Sequence, residues 1–268
     1  LLEELRQCGR YETLAEQLAG YLSAETIDDL YERVLERLEA DGNGENVRKV
    51  MTALWASRAG LSEEELLSIT GLKPLQWAPI DLALEDALGR NGNQLVLDHD
   101  YLRKAILDRY LPLEQERREA HSLLADVFLT KQKWDRRRAE ELPWQLQRSR
   151  RVQDLLDLIT DTASLQELLK IRGCQDIVQL WNHIKAHIGK ELDDAIADGV
   201  RRELEQRRSR PVEMVSLLER IGDLLKEAGL FRKTLIEIRR SAYELCIDAD
   251  FNDMETQMTC LRKPWKTQ

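Results

Sequence analysis

One short polar run has the residue types and the position to bind a phosphate group. His99 and Asp100 stand in the run LDHDYLRKAI, between a short β-prone stretch and a helical pattern. Backbone N–H groups and the helix dipole at a helix N-terminus favour an anion, and an imidazole N–H can donate to a phosphate oxygen. In the alternative, Asp98 or Asp100 caps the helix and His99 only orders the turn. The residues alone favour the capping interpretation and leave the other open.

A second candidate is the pair His183 and His187, four residues apart in one helical pattern. That spacing lets one helix present two metal ligands. A zinc protease of this kind also needs a Glu directly after the first His and a further ligand, and the run here is HIKAH. We therefore interpret the pair as part of a solvated helix surface and expect no metal site. His121 lies in an apolar helical pattern and is predicted to be a packing residue.

Other motifs argue against an enzyme. No strand pattern precedes Gly42-Asn43-Gly44, and no Gly-Lys-Ser/Thr occurs in the chain, so this run is predicted to be a plain turn rather than a phosphate-binding loop. The cysteines lack the close spacing of zinc sites and disulfide scaffolds, and we expect free thiols. They are Cys8, Cys174, Cys246 and Cys260. We expect no catalytic residues, no metal and no cofactor within this segment.

Charge argues against general nucleic-acid binding. The net charge is −9, and the arginine clusters at 136–138, 148–151 and 207–210 are interleaved with acidic residues. Such clusters are typical of solvated helix faces with i, i+4 ion pairs. The helix PLQWAPIDLALEDAL, which would be the recognition helix of a DNA-binding domain, has no Lys or Arg after Lys73. A helix with that charge would be repelled by the major groove.

Composition favours helices that bury one face. Of the 268 residues, 43% are hydrophobic and 33% charged, with only 13 Gly and 6 Pro as breakers. No apolar run approaches the length of a membrane span, and no secretory signal is present, so a cytoplasmic location is expected. The chain opens on Leu1 within a helical pattern, so we expect it to be part of a longer protein.

The pattern divides the chain into four segments. The predicted fold is mainly α: a winged-helix domain followed by antiparallel helical hairpins in a TPR-like α-superhelix. The segments are a helical subdomain at 1–46, the winged helix at 47–111, the hairpin array at 112–212 and a TPR-like unit, truncated or leaning on the hairpins, at 213–268.

Within 47–111, specific capping and turn-forming residues mark where the predicted elements begin and end. A first helix is predicted to end at Gly60, and Ser62 with Glu65 forms a capping box for the second. After the third helix, Asn91-Gly92 supplies a turn before the β-prone run 95–97, and a closing helix follows. Pro143 predicts a kink or a break in a later helix. Most of the six tryptophans fall in apolar helical patterns and are predicted to lie in the core or between repeats.

The runs GLSEEELLSITGLKPLQWAPIDLALEDAL, LVLDHDYLRKAILDRYL, REAHSLLADVFL and RRAEELPWQL resemble the region after the ATPase core in STAND-type NTPases. The chain is similar to NACHT-containing proteins of the nephrocystin-3 and telomerase-associated-protein type over roughly residues 15–245. The resemblance implies a helical subdomain, a winged helix and a superhelical sensor downstream of the ATPase. It also implies ADP or ATP with Mg²⁺ for the parent protein, and a signalling role that can include defence.

The resemblance also implies a role for the His99-Asp100 pair. In the family, a Met-His-Asp motif of the winged helix contacts the β-phosphate of ADP and holds the inactive state. Here Asp98 replaces the Met, while His99 and Asp100 match, followed by Leu102 and Arg103. The expected partners are the upstream NTPase domain and a protein trigger on the helical repeats, with oligomerisation on activation. The alternative is a free-standing adaptor for protein–protein interaction; DNA binding through the winged helix is the least favoured.

Overall fold

The computed structural model describes residues 14–41, 44–84 and 87–188, with a few isolated positions between 198 and 240. The described residues are mainly helical, which confirms the predicted class. The helices predicted at 191–212 and the TPR-like unit at 213–268 lie outside the described residues, apart from those isolated positions. Contacts divide the chain into two compact units, 1–132 with 144–151 and 133–143 with 152–268.

The first unit contains seven helices and three short strands among its described residues. The helices are α1 (Leu14–Leu22), α2 (Ile27–Asp41), α3 (Gly44–Ala56), α4 (Glu63–Thr70), α5 (Pro74–Leu84), α6 (Asp100–Tyr110) and α7 (Glu114–Thr130); the strands are β1 (Leu61–Ser62), β2 (Gly89–Asn91) and β3 (Gln94–Val96). Helix α3 contacts α2, α4, α6 and α7 and so occupies the centre of this unit.

The three strands form one small antiparallel sheet in the order β1-β3-β2. Leu61 pairs with Leu95, and Gly89 pairs with Val96 across the predicted Asn91-Gly92 turn. Gly60 precedes β1 with φ +88°, and a Cβ there would overlap the backbone oxygen of Leu95. Only glycine fits at residue 60, because the backbone adopts a left-handed conformation and a neighbouring strand fills the space.

The core of the first unit surrounds α3. Its largest buried side chains come from six helices and one strand, and Trp77 of α5 is 2% exposed. The predicted capping box is confirmed: the Ser62 hydroxyl accepts from the Glu65 N–H, and the Glu65 carboxylate accepts from the Ser62 N–H. Glu65 also pairs with Lys131 at 2.8 Å, which joins the start of α4 to the end of α7.

Two predicted boundaries of α3 were wrong. The helix begins at Gly44, three residues before the start at residue 47 that was predicted for the winged-helix segment, and it ends at Ala56 rather than at Gly60. The early end has a physical cause. The Ser57 hydroxyl donates to the Leu54 carbonyl at 2.7 Å. Side chains from elsewhere in the unit donate hydrogen bonds to the backbone carbonyls of the next two residues. Because these carbonyls already have donors, they do not need the N–H groups of a further helical turn.

The second unit is built from helices. The residues of α8 (Arg136–Arg148) divide between the units, and 136–143 belong to the second, with α9 (Val152–Thr160), α10 (Thr162–Arg172) and α11 (Cys174–Ile188). Helices α9, α10 and α11 contact one another. The buried side chains include Trp181 and Ile184 of α11. No helix in the described parts of the chain is long and apolar enough to cross a membrane.

Pro143 was predicted to kink or break its helix. It does not break α8, which runs from Arg136 to Arg148. A proline has no N–H for the carbonyl four residues earlier. That carbonyl belongs to Ala139, and it accepts from Nη1 of Arg172 on α10 at 3.3 Å. Arg172 is held in turn by Asp176, whose Oδ2 accepts from its Nε at 2.9 Å. The helix continues through Pro143 with this carbonyl satisfied from outside.

Candidate functional site

His99 is the N-cap residue of α6 and lies on the surface of the first unit. Its backbone is extended, with φ −110° and ψ 123°, and its side chain makes no capping hydrogen bond. Asp98, His99 and Asp100 are all exposed, and Asp100 is the first helical residue. The expectation that Asp98 or Asp100 caps the helix was therefore wrong, because neither occupies the N-cap position. The imidazole is left accessible to a ligand at the start of an eleven-residue helix.

The surroundings of His99 include one aromatic ring and one glycine. The Tyr31 ring centre on α2 lies 6.1 Å from that of His99, with a tilt of 44°. The Asp98 carboxylate occupies the space where a Cβ at residue 89 would lie, so glycine in β2 allows that carboxylate to fold over the strand. Two carboxylates therefore flank His99 at the start of the helix. These two negative charges oppose the binding of a phosphate there unless cations offset them.

Helix α6 is fixed to the unit by basic side chains along its length. Nη1 of Arg103 donates to the Trp55 carbonyl at 2.9 Å. Lys104 forms an ion pair with Asp28 at the start of α2. This pair raises the pKa of Lys104, through its hydrogen bond to Asp28 first and the charge of Asp28 second. The start of α6 is therefore connected to both α2 and the end of α3.

A second contact between α2 and α6 is centred on Glu39. Arg109 donates to both carboxylate oxygens, at 2.9 and 2.7 Å, and the Tyr110 hydroxyl donates to one of them. The hydrogen bond from Arg109 is the main cause that holds the pKa of Glu39 below its usual range. Burial raises the pKa of Tyr110, and the Glu39 hydrogen bond adds to that rise. Sequence reasoning missed this cluster, because no local spacing links residues seventy positions apart.

His121 is a buried packing residue, as predicted, with 8% of its surface exposed. Its Nδ1 lies 2.8 Å from Oε1 of Gln145, while Nε2 of Gln145 donates to the Ala56 carbonyl at 2.9 Å. Because the amide nitrogen is used on Ala56, Oε1 must accept, and Nδ1 of His121 carries the proton. Burial is the main cause that lowers the pKa of His121, and Arg148 lowers it further.

His183 and His187 lie on the outer part of α11, half-buried and exposed respectively. Their ring centres are 4.7 Å apart. Burial lowers the pKa of His183, and the charge of His187 lowers it further. No group of three or more His, Cys, Asp or Glu side chains suited to a metal ion occurs among the described residues.

Several arginines of the predicted clusters form ion pairs. Arg136 and Arg137 pair with Glu140 and Glu141 one turn later, at 2.7 and 2.9 Å, as the i, i+4 spacing predicts. Arg150 pairs with Glu114 on α7 at 2.6 Å. The cluster at 207–210 lies outside the described residues. These arginines are paired with carboxylates of the protein itself, which disfavours their binding to a phosphate backbone.

Helix α5 presents apolar side chains to solvent. Leu75 is 88% exposed and Leu82 is 68% exposed, seven residues apart on one helix. Pro79 lies between them and is also exposed. Asp81 beside them pairs with Arg90 of β2 at 3.0 Å. The exposed face of this helix is therefore largely apolar, and the helix carries no basic residue that could meet a phosphate.

Comparison with known proteins gives two distant relatives. A TPR repeat-containing protein of Dictyostelium discoideum is 26% identical over 189 residues, which is 68% of this chain and 11% of that protein. Nephrocystin-3 of Mus musculus is 22% identical over 265 residues, which is 93% of this chain and 20% of that protein. No family model matches the chain, and no solved structure matches it significantly. The chain spans a fifth or less of the length of these two relatives, to which it is distantly similar.

Proposed function

We propose that this chain is a regulatory segment of a STAND-type signalling NTPase and lies downstream of the ATPase core. In this proposal residues 44–110 form a winged helix, whose element order is helix, strand, two helices and two strands, with a further helix closing it. The order α3-β1-α4-α5-β2-β3-α6 and the sheet order β1-β3-β2 support it. The likeness to nephrocystin-3 along 93% of the chain supports the placement.

The accessible imidazole of His99 carries the nucleotide part of the proposal. It stands at a helix N-terminus, its side chain makes no hydrogen bond to another described residue, and Tyr31 lies beside it. Backbone N–H groups in the first turn of α6 add donors for an anion. His99 would donate to a phosphate oxygen of ADP held by the upstream domain, with Asp100 as the second residue of the site. The ATPase and its Mg²⁺ would supply the cations that offset Asp98 and Asp100.

Release of this contact would be the switch. With ADP bound, a neighbouring ATPase domain would be held against α6; without it, the two would separate, and the parent protein would oligomerise. A ligand can bias such a two-state change only through different affinities for the two states. A protein trigger bound to the helical part would supply that bias. Such a segment contributes a nucleotide sensor and a binding surface, while the chemistry belongs to the upstream domain.

The test uses the full-length parent protein. His99→Ala and Asp100→Val should lower the ADP that co-purifies, measured by chromatography of the released nucleotide, and raise basal oligomerisation. Tyr101→Ala is the matched control, because Tyr101 is a partly exposed neighbour on the same helix with no assigned contact to nucleotide. Unchanged ADP retention in a folded His99→Ala protein would overturn the sensor role. Absence of a P-loop upstream of Leu1 in the reading frame would overturn the whole proposal.

A second candidate is a free-standing adaptor that binds proteins through its helices. The exposed Leu75 and Leu82 of α5 and the likeness to a TPR repeat-containing protein favour it. Helical repeats present extended surfaces to protein partners. In this case His99→Ala would leave partner capture unchanged, whereas Leu75→Ser with Leu82→Ser would reduce it. The upstream sequence separates the two candidates directly.

A further inference from the structure

The histidine pair on α11 has a geometry that the i, i+4 spacing alone does not guarantee. The two ring centres lie 4.7 Å apart. A zinc–nitrogen bond is about 2.0–2.1 Å long and the nitrogen lies about 1.1 Å from its ring centre, so each centre would lie about 3.2 Å from a shared ion. For N–metal–N angles between about 90° and 109°, two such centres are separated by about 4.5–5.2 Å. The observed separation falls inside this window.

The hydrogen bonds leave a coordinating nitrogen on each ring. Nδ1 of His187 lies 2.8 Å from the His183 carbonyl oxygen. A carbonyl only accepts, so Nδ1 carries the proton and Nε2 keeps its lone pair. A backbone carbonyl on the second nitrogen fixes the tautomer and the ring orientation of a metal-binding histidine. The His183 ring makes no hydrogen bond to another described residue, so one of its nitrogens is also available.

Helix α11 holds the pair on the outer part of the second unit. Its buried side chains Ile177, Trp181 and Ile184 fix the helix, while Asn182 beside the pair is exposed. His183 is half-buried, which limits its rotamers, and His187 is exposed, which leaves room for an ion and its water ligands. Neutral imidazoles suit Cu²⁺, Ni²⁺ and Zn²⁺, whereas Mg²⁺ and Ca²⁺ prefer oxygen ligands.

We propose that His183 and His187 together bind one divalent transition-metal ion, of the class Cu²⁺, Ni²⁺ or Zn²⁺, through one ring nitrogen each. Water completes the coordination shell. The site differs from a zinc-protease site, because no Glu follows His183 and the described residues add no third protein ligand. It is also independent of the nucleotide role proposed for His99, since it lies in the other unit and needs no ATPase.

The experiment titrates the whole chain, with its thiols blocked, with CuCl₂, NiCl₂ and ZnCl₂ by calorimetry. His183→Gln and His187→Gln should each weaken binding at least about tenfold, because the second imidazole acts as an intramolecular ligand. The order of affinity should be Cu²⁺ above Ni²⁺ and Zn²⁺. Electron paramagnetic resonance of the Cu²⁺ form should show two nitrogen ligands, and one nitrogen in either single variant. His99→Gln should leave the affinity unchanged.

A spacing control decides whether the pair acts as one site. Asn182→His combined with His183→Gln keeps the number of histidines but turns one of them about 100° around the helix. This variant should bind as weakly as the single variants, with unchanged helical circular dichroism. Binding as tight as that of the native chain, or native binding no tighter than that of His183→Gln, would overturn the proposal.

Discussion

Glu39 shows how one carboxylate can join two distant helices. It accepts from Arg109 at two oxygens and from the Tyr110 hydroxyl, and its side chain is only 26% exposed. Charge-assisted bidentate pairs are stronger than single neutral hydrogen bonds. Because partial burial limits screening, this contact should contribute more than the exposed ion pairs do.

Glu39→Gln should therefore destabilise the first unit by about 1–3 kcal/mol, since Arg109 and Tyr110 lose a charged acceptor. Urea unfolding followed by circular dichroism measures the change. Glu36→Gln is the matched control: Glu36 also faces Arg109, but at 3.6 Å and with 60% of its side chain exposed. Its effect should stay within about 0.5 kcal/mol. Equal losses in both variants would contradict the role given to Glu39.

The same contact makes stability depend on pH. The folded-state pKa of Glu39 is lower than its ordinary 4.5, so its contribution is present above that value and is lost as the pH falls through the folded-state pKa. Acid titration of the native chain and of Glu39→Gln should show a smaller loss of stability below pH 4.5 in the variant. Parallel curves would rule out this contribution.

His121 should make the stability depend on pH in a higher pH range than Glu39 does. Its folded-state pKa lies below the ordinary 6.5, so as the pH falls below 6.5 the unfolded chain takes up the proton first and stability decreases. His121→Gln should flatten this dependence between pH 7 and pH 5. Leu124→Val is the control, since it weakens the same helix without removing a titrating group, and it should keep the native slope.

At the scale of elements, α8 contains a proline whose missing hydrogen bond is replaced by a side chain of another helix. Arg172 donates to the Ala139 carbonyl that Pro143 leaves without an intrahelical partner. Arg172→Gln should cost about 1–2 kcal/mol through this carbonyl and the lost pair with Asp176. In a Pro143→Ala background the helix can satisfy Ala139 itself, so the cost should be smaller by about 0.5–1 kcal/mol.

Chemical denaturation of the four proteins in that cycle gives the coupling energy. If the two substitutions are additive, Arg172 stabilises the protein only through its pair with Asp176 and not through the Ala139 carbonyl. The conservative variant Arg172→Lys should retain part of the coupling, because a lysine keeps one donor but loses the guanidinium fork.

The sequence predicted elements better than their ends. Apolar periodicity placed the helices, Ser62 with Glu65 placed the start of α4, and Asn91-Gly92 placed the β2–β3 turn. The end of α3 was misplaced because Arg103 and Gln145, distant in sequence, take its last carbonyls. Local signals such as Gly60 do not report such contacts.

The candidate site was predictable in position but not in detail. A helix start after a β-prone run placed His99 at the head of α6. That the N-cap is His99 itself, with Tyr31 of α2 beside its ring, depends on packing between helices far apart in the chain. No periodicity encodes that contact. The ring separation of His183 and His187 likewise depends on rotamers that their spacing does not fix.

At the scale of the molecule, charge predicts weak affinity for DNA. The chain carries −9, and the exposed face of α5 is largely apolar. Fluorescence anisotropy with a labelled duplex at about 0.15 M salt should show no saturable binding, because phosphate contacts need a basic surface. Asp81→Lys offers a control that adds a cation to α5. Saturable, salt-dependent binding of the native chain would contradict this prediction.

The division of α8 between the two units has a practical consequence for dissection of the protein. A fragment that stops at Gln132 would discard Gln145, and the first unit would lose the partner of His121 and of the Ala56 carbonyl. A fragment extended to Arg151 regains them but brings along 133–143, whose Ala139 and Leu142 are buried in the whole chain. Neither fragment therefore corresponds to one complete unit and nothing else. Expression of the two units as separate proteins requires redesign of the apolar side chains that the cut leaves exposed.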